Sequence, residues 1–177
     1  MDIFAHIHRL TEFQFDVVKY FSVQLEEDGE EKEVDEFYDF LSRMEDIEEV
    51  EEDLSNLLVW IEEIGENIGA KKHLFRNESI TADVRALPPP AKQMAVHKIP
   101  VGNLRLYCLV LNEHVVFLFN GGIKTTDNAK DCPNVGPHIK RANRIAGKID
   151  EMLRENEVTW NKDHTDIEFD ENLEFEL

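Results

Sequence analysis

Two runs of apolar and β-branched residues, Leu104 to Leu111 and His114 to Phe119, carry or flank Arg105, Tyr107, Asn120 and Lys124, side chains that together can handle phosphate. They are joined by Asn112-Glu113, a two-residue link in which Asn tolerates positive φ, and this predicts an antiparallel hairpin. With Leu111 opposite His114, counting outward places Leu109 opposite Val116, Tyr107 opposite Leu118 and Arg105 opposite Asn120. Arg105, Tyr107 and Asn120 then share one face. Lys124, Thr125 and Thr126 follow Gly121-Gly122 at the rim of that face. A guanidinium, an ammonium, hydroxyls and permissive backbone amides in one place can bind phosphate. The plainer alternative makes Tyr107 core filler, Arg105 an exposed strand residue and Gly121-Gly122 a bend. The glycine string is not a P-loop, because the first glycine of that motif and its strand-to-helix setting are missing.

Other constellations carry less. Lys140, Arg141, Arg144 and Lys148 form a basic helical stripe, which reads as a solvated face, as a footprint for RNA, or as a surface for an acidic partner that includes the chain's own acidic segments. His6-x-His8 lacks a third ligand at zinc spacing. Cys108 lies between Tyr107 and Leu109 and reads as a small core residue rather than a nucleophile. Neither a Ser-His-Asp set, nor H-E-x-x-H, nor a dinucleotide-binding glycine pattern occurs, so no cofactor is expected.

The elements that must position these residues follow from periodicity. Residues 13–25 alternate aromatic and β-branched types and predict one strand, bulged near Val17-Val18. Val34, Phe37, Tyr38, Leu41 and Met44 define an amphipathic helix, and Ile47 through Ile64 a second, with Asp46 or Asp53 as the cap that makes a helical hairpin. Lys71 to Arg76 reads as a basic strand, and residues 77–102, with Leu87-Pro88-Pro89-Pro90, as mostly loop. A last helix begins near Pro137, with Ile139, Ala142, Ile145, Ala146, Ile149, Met152 and Leu153 inward. The sum is an α+β domain over residues 1–154, with an antiparallel sheet, an N-terminal helical hairpin and a C-terminal helix. Residues 155–177 form an acidic C-terminal extension that can be an edge strand, a docking segment or disorder.

The 177 residues carry 38 acids against 19 bases, a net charge of −19, and 42% hydrophobic residues, enough apolar side chain for one core without disulfides. The charge is partitioned: residues 1–70 are net −18, residues 71–154 net +7 and residues 155–177 net −8. Such an acidic balance argues against a simple nucleic-acid coat. The longest apolar runs are far too short for a membrane span, and the N-terminal residues do not read as a signal peptide. Two cysteines make no disulfide framework, so a reducing cytoplasm is the default.

Residues 103–153 resemble the C-terminal half of RelE/ParE-superfamily toxins, especially the HigB-like branch. The resemblance rests on Leu104-Arg105-Leu106-Tyr107-Cys108, a turn, Val115-Val116-Phe117-Leu118-Phe119-Asn120-Gly121-Gly122-x-Lys124-Thr125, and a basic Ala142-rich helix. It covers residues 13–153 in element order and 104–126 in motif. It implies a RelE-like fold and the toxin of a type II toxin-antitoxin pair, acting as a metal-independent mRNA endonuclease. It also implies a cognate antitoxin, often one with a helix-turn-helix domain. Arg76, Arg105, Tyr107 and Lys124 occupy positions similar to the family's basic and aromatic functional residues; on this reading Arg105, Tyr107 and Lys124 would be catalytic, and Arg76, with Asn120 and Thr125 of the hairpin face and Lys140, Arg141 and Arg144 of the basic stripe, would contact RNA or phosphate. The chain is longer and far more acidic than family members that approach the ribosome. Two further readings stay open: a non-catalytic protein- or nucleic-acid-binding module on the same scaffold, and an acidic nucleic-acid mimic.

Overall fold

A computed structural model describes residues 2–78 and 83–177. The described residues form nine strands and four α-helices: β1 (Ile3–Gln14), β2 (Lys19–Glu27), β3 (Glu30–Glu31), α1 (Glu36–Glu45), α2 (Glu51–Glu63), β4 (Val84–Leu87), α3 (Ala91–His97), β5 (Leu104–Val110), β6 (Val115–Ile123), α4 (Gly136–Arg154), β7 (Val158–Trp160), β8 (Ile167–Phe169) and β9 (Glu174–Glu176). Seven strands make one sheet in the order β4-β5-β6-β2-β1-β9, with β3 paired to β2, and β7 and β8 form a separate pair.

The sheet is mixed. Lys19, Tyr20 and Phe21 of β2 pair in parallel with Val115, Val116 and Phe117 of β6, whereas the other ladders are antiparallel. The expected antiparallel, RelE-like arrangement is therefore corrected: the sheet is larger than that arrangement and contains a parallel junction at its centre. The physical reason is coverage of both faces. On one side Phe37, Phe40, Leu54, Leu57, Trp60 and Ile61 of α1 and α2 pack on Tyr20, Leu106, Val116 and Leu118. On the other, Ile139, Ile145 and Ile149 of α4, with Val158 and Ile167, cover Phe21, Val23, Tyr107 and Phe117. Strands buried on both faces suit parallel pairing.

Several local expectations change as well. Residues 13–25 are not one strand, because the chain turns at residues 15–18 and returns as β2, pairing with a long β1. Asp35, rather than Asp46 or Asp53, caps a helix: its carboxylate accepts from the Tyr38 amide at 2.8 Å, opening α1. Asp46 instead ends α1. Lys71 to Arg76 holds a short 3-10 turn at Lys72–Leu74 and a single bridge from Arg76 to Ala86, not a strand. The loop expected over 77–102 contains β4 and α3, and its residues 79–82 lie outside the described ones. The last helix begins at Gly136 with Pro137 in its first turn, as its sequence implies. Residues 155–177 fold onto the same body: the β7–β8 pair lies over the α4 face, and β9 adds an edge strand to β1. Among the described residues, no helix is long and apolar enough to cross a membrane.

Candidate functional site

The β5–β6 ladder decides what the hairpin presents. Leu109 pairs with Phe117 and Val110 with Val116, one residue off the predicted register, because the turn takes in His114: the Leu111 amide donates to the Val115 carbonyl at 3.0 Å. The Asn112 side chain holds that turn, accepting from the His114 and Val115 amides. Further along, Leu106 pairs with Gly121 and Cys108 with Leu118, so Phe119 and Asn120 both stand against Tyr107. The turn and this bulge together place Arg105 opposite Gly122 rather than Asn120. A Cβ on Gly121 would run into the Arg105 carbonyl, so the close strand approach that aims Arg105 requires glycine there.

The predicted face is therefore divided. Asn120, 3% exposed, leaves the cluster and joins α1, donating to Glu36 Oε2 (3.0 Å) and Asp39 Oδ2 (2.8 Å) and accepting from Arg43. Arg105, Tyr107 and Lys124 do come together, and their meeting point is Glu78, which belongs to none of the sequence motifs. Glu78 accepts from Arg105 Nε at 2.9 Å and from Lys124 Nζ at 3.4 Å on Oε1, and from the Tyr107 hydroxyl at 3.2 Å on Oε2. Its sequence signal is small but real: Glu78 is the sole acid between Lys71 and Ala82.

The electrostatics of this cluster follow from its burial. Burial pushes the Glu78 carboxyl up, but the hydrogen bond and charge of Arg105, with Lys124 and the Tyr107 hydroxyl, outweigh it and hold the group below the usual carboxylate range. Burial, together with the facing Glu78 carboxylate, pushes the Tyr107 hydroxyl well above the ordinary phenol value, so it donates a hydrogen bond rather than losing its proton. The Tyr107 ring is wholly buried and has no face on which a base could stack. Arg76 belongs to the same field: burial and the neighbouring Arg105 lower it while Glu78 raises it, and its Nε donates to the Pro88 carbonyl at 3.0 Å. Three cations, Arg76, Arg105 and Lys124, thus act on Glu78, and Asp127 adds a second carboxylate to the hollows that Lys124 lines.

Lys124 and Asp127 line two open hollows. One, of about 280 Å³, is lined by Asn103, Arg105, Lys124, Thr125, Thr126 and Asp127. The other, of about 400 Å³, is lined by Asn77, Glu78, Lys124, Asp127, Asn128 and Ala129. Thr125 lies at this rim, its amide donating to Cys132 Sγ at 3.4 Å. The helical stripe is not part of the cluster. Arg141 pairs with Glu27 at 3.2 Å and Glu36 at 3.8 Å, spending its charge on the chain's own acids. Lys140 and Arg144 are exposed on α4 and have no ion-pair partner among the described residues. No family model matches the chain, and neither do the curated proteins or the solved structures compared with it.

Proposed function

We propose that this protein is a toxin-like endoribonuclease that cleaves single-stranded mRNA at the Glu78 cluster, in the cytoplasm, under control of a cognate antitoxin. The resemblance of residues 104–126 to RelE/ParE-superfamily toxins implies this activity. The observation that carries it here is the convergence of Arg105, Lys124 and Tyr107 on one carboxylate. RNA cleavage by its own 2′-hydroxyl needs a proton acceptor beside that hydroxyl and cations at the phosphate. Glu78 is the acceptor. Arg105 and Lys124 take the phosphate oxygens, and Lys124, the less enclosed cation, gives a proton to the departing 5′-oxygen. Tyr107 holds Glu78 in place.

The arrangement couples substrate binding to basicity. In the free protein the two cations keep Glu78 a weak base. When a phosphodiester draws their charge, the cause of the lowered value is relieved and the carboxylate strengthens as an acceptor where it is needed.

Single-turnover cleavage of a defined RNA, with and without ribosomes, tests the reading. Glu78→Gln should lower the rate by about 10²–10⁴, as loss of a general base does. Arg105→Ala and Lys124→Ala should each lower it by about 10²–10³, the cost of a lost charge-stabilising donor. Tyr107→Phe, which removes only a positioning bond, should cost less than either. A parent protein that cuts in neither format removes the enzymatic reading and leaves a non-catalytic binding module.

A further inference from the structure

A different group of side chains meets where the C-terminal strand joins the sheet. In the β1–β9 ladder His6 lies opposite Glu174 and Phe4 opposite Glu176, and in the β1–β2 ladder Phe4 also lies opposite Glu26. Residues directly opposite in antiparallel strands point to the same face, and so do residues two apart on one strand. His6, Glu26, Glu174 and Glu176 therefore share a face. Glu26 is in turn opposite Glu31 of β3. Glu26 and Glu31 are like charges directly opposite one another, an arrangement that destabilises a ladder. One donor atom each from His6, Glu26 and Glu174 lies within 4.8 Å of the others. The His6 Nε2 to Glu174 Oε2 distance is 3.2 Å. Donors bound tetrahedrally to zinc at about 2.0–2.1 Å are about 3.3–3.4 Å apart, so this edge already has the required length.

We propose that His6, Glu26 and Glu174 form a site for a divalent first-row transition-metal ion, zinc being the fitting probe, which clamps β9 to β1 and β2. One imidazole nitrogen and two carboxylate oxygens select such an ion over calcium or magnesium, which prefer oxygen donors alone. Partial exposure of His6 and Glu174 leaves room for water to complete the coordination. The ion balances the carboxylate surplus and reinforces a ladder that spans only Phe4–His6 against Glu174–Glu176. The site does not depend on the ribonuclease reading.

Titration calorimetry of the full chain with zinc chloride should show one saturable site. His6→Ala and Glu174→Gln should each weaken it by more than about tenfold, the loss that even an outer partner of a metal can cause. His73→Ala, at an exposed histidine elsewhere, should leave it intact. With zinc at roughly a hundred times its Kd, Tm should rise by roughly 5–10 °C. If circular dichroism shows Glu174→Gln misfolded, Glu26→Gln decides instead, because β2 is held between β1 and β6. Absence of saturable binding, or binding unchanged in both His6→Ala and Glu26→Gln, overturns the site.

Discussion

Two titrating side chains report on the environments built around them, with opposite chemistry but the same direction of pH dependence. Because Glu78 is held below the ordinary carboxylate range, the unfolded chain takes up its proton first as pH falls. Its stabilising contribution is complete above the unfolded value, about 4.3, and is lost as pH drops through the lower folded value. Glu78→Gln should therefore be less stable than the parent in urea at pH 7, with the gap narrowing by pH 3; a constant gap would show that the cations do not hold the carboxylate. His138 is pulled down to about 4, first by burial and then by the charges of Arg43 and Arg141, against Asp39. Between its unfolded value, about 6.5, and about 4 the unfolded chain binds the extra proton, so stability is lost as pH falls through that window. His138→Gln should flatten that limb in the same unfolding series.

At the scale of the element, the β5–β6 hairpin turns a run of ordinary strand residues into a site by means of one bulge and one glycine. Gly121→Ala forces a Cβ against the Arg105 carbonyl and should destabilise the protein by about 1–3 kcal/mol, the usual cost of overpacking. It should also lower RNA cleavage by displacing Arg105, and both are read from one preparation by urea unfolding and the single-turnover assay. The sequence announced the hairpin, its antiparallel sense and α4 with its proline start, because these depend on local periodicity and turn chemistry. It did not announce the register: an extra turn residue and an extra bulge residue shift pairing without altering the apolar pattern. Asn120 was misplaced for that reason, whereas Arg105, Tyr107 and Lys124 still meet. Glu78 was missed because its role depends on a loop brought to the hairpin by tertiary contact. The parallel junction had a legible trace in Tyr20-Phe21-Ser22-Val23 and Val115 through Phe119, all buried on both faces, but a short buried run has no period to separate it from other readings.

The whole molecule keeps its opposite charges only partly satisfied. Arg141 is engaged by Glu27 and Glu36, while Lys140 and Arg144 remain on the outer face of α4. A partner that meets these cations must lose affinity as salt rises, since exposed pairs are screened within about 10 Å at 0.1 M. Co-purification with the product of an adjacent gene, repeated from low to high salt, should show a complex that weakens with salt and weakens further in Lys140→Ala/Arg144→Ala. Failure to associate with any neighbouring product at low salt would count against the antitoxin. The central junction also sets an order of events during folding. The β5–β6 hairpin joins neighbours in the chain and can close in about 1–10 μs. Its docking onto β2 must bring Lys19 to Val115, and closing so long a loop costs entropy that no local contact repays. The two strands that carry Arg105 and Tyr107 and lead into Lys124 thus form early as a loose pair, and β6 has no neighbour on its far side until β2 arrives. For that interval its unpaired edge is open to the wrong strand, which makes the junction at the centre of the finished sheet the step most exposed to misassembly.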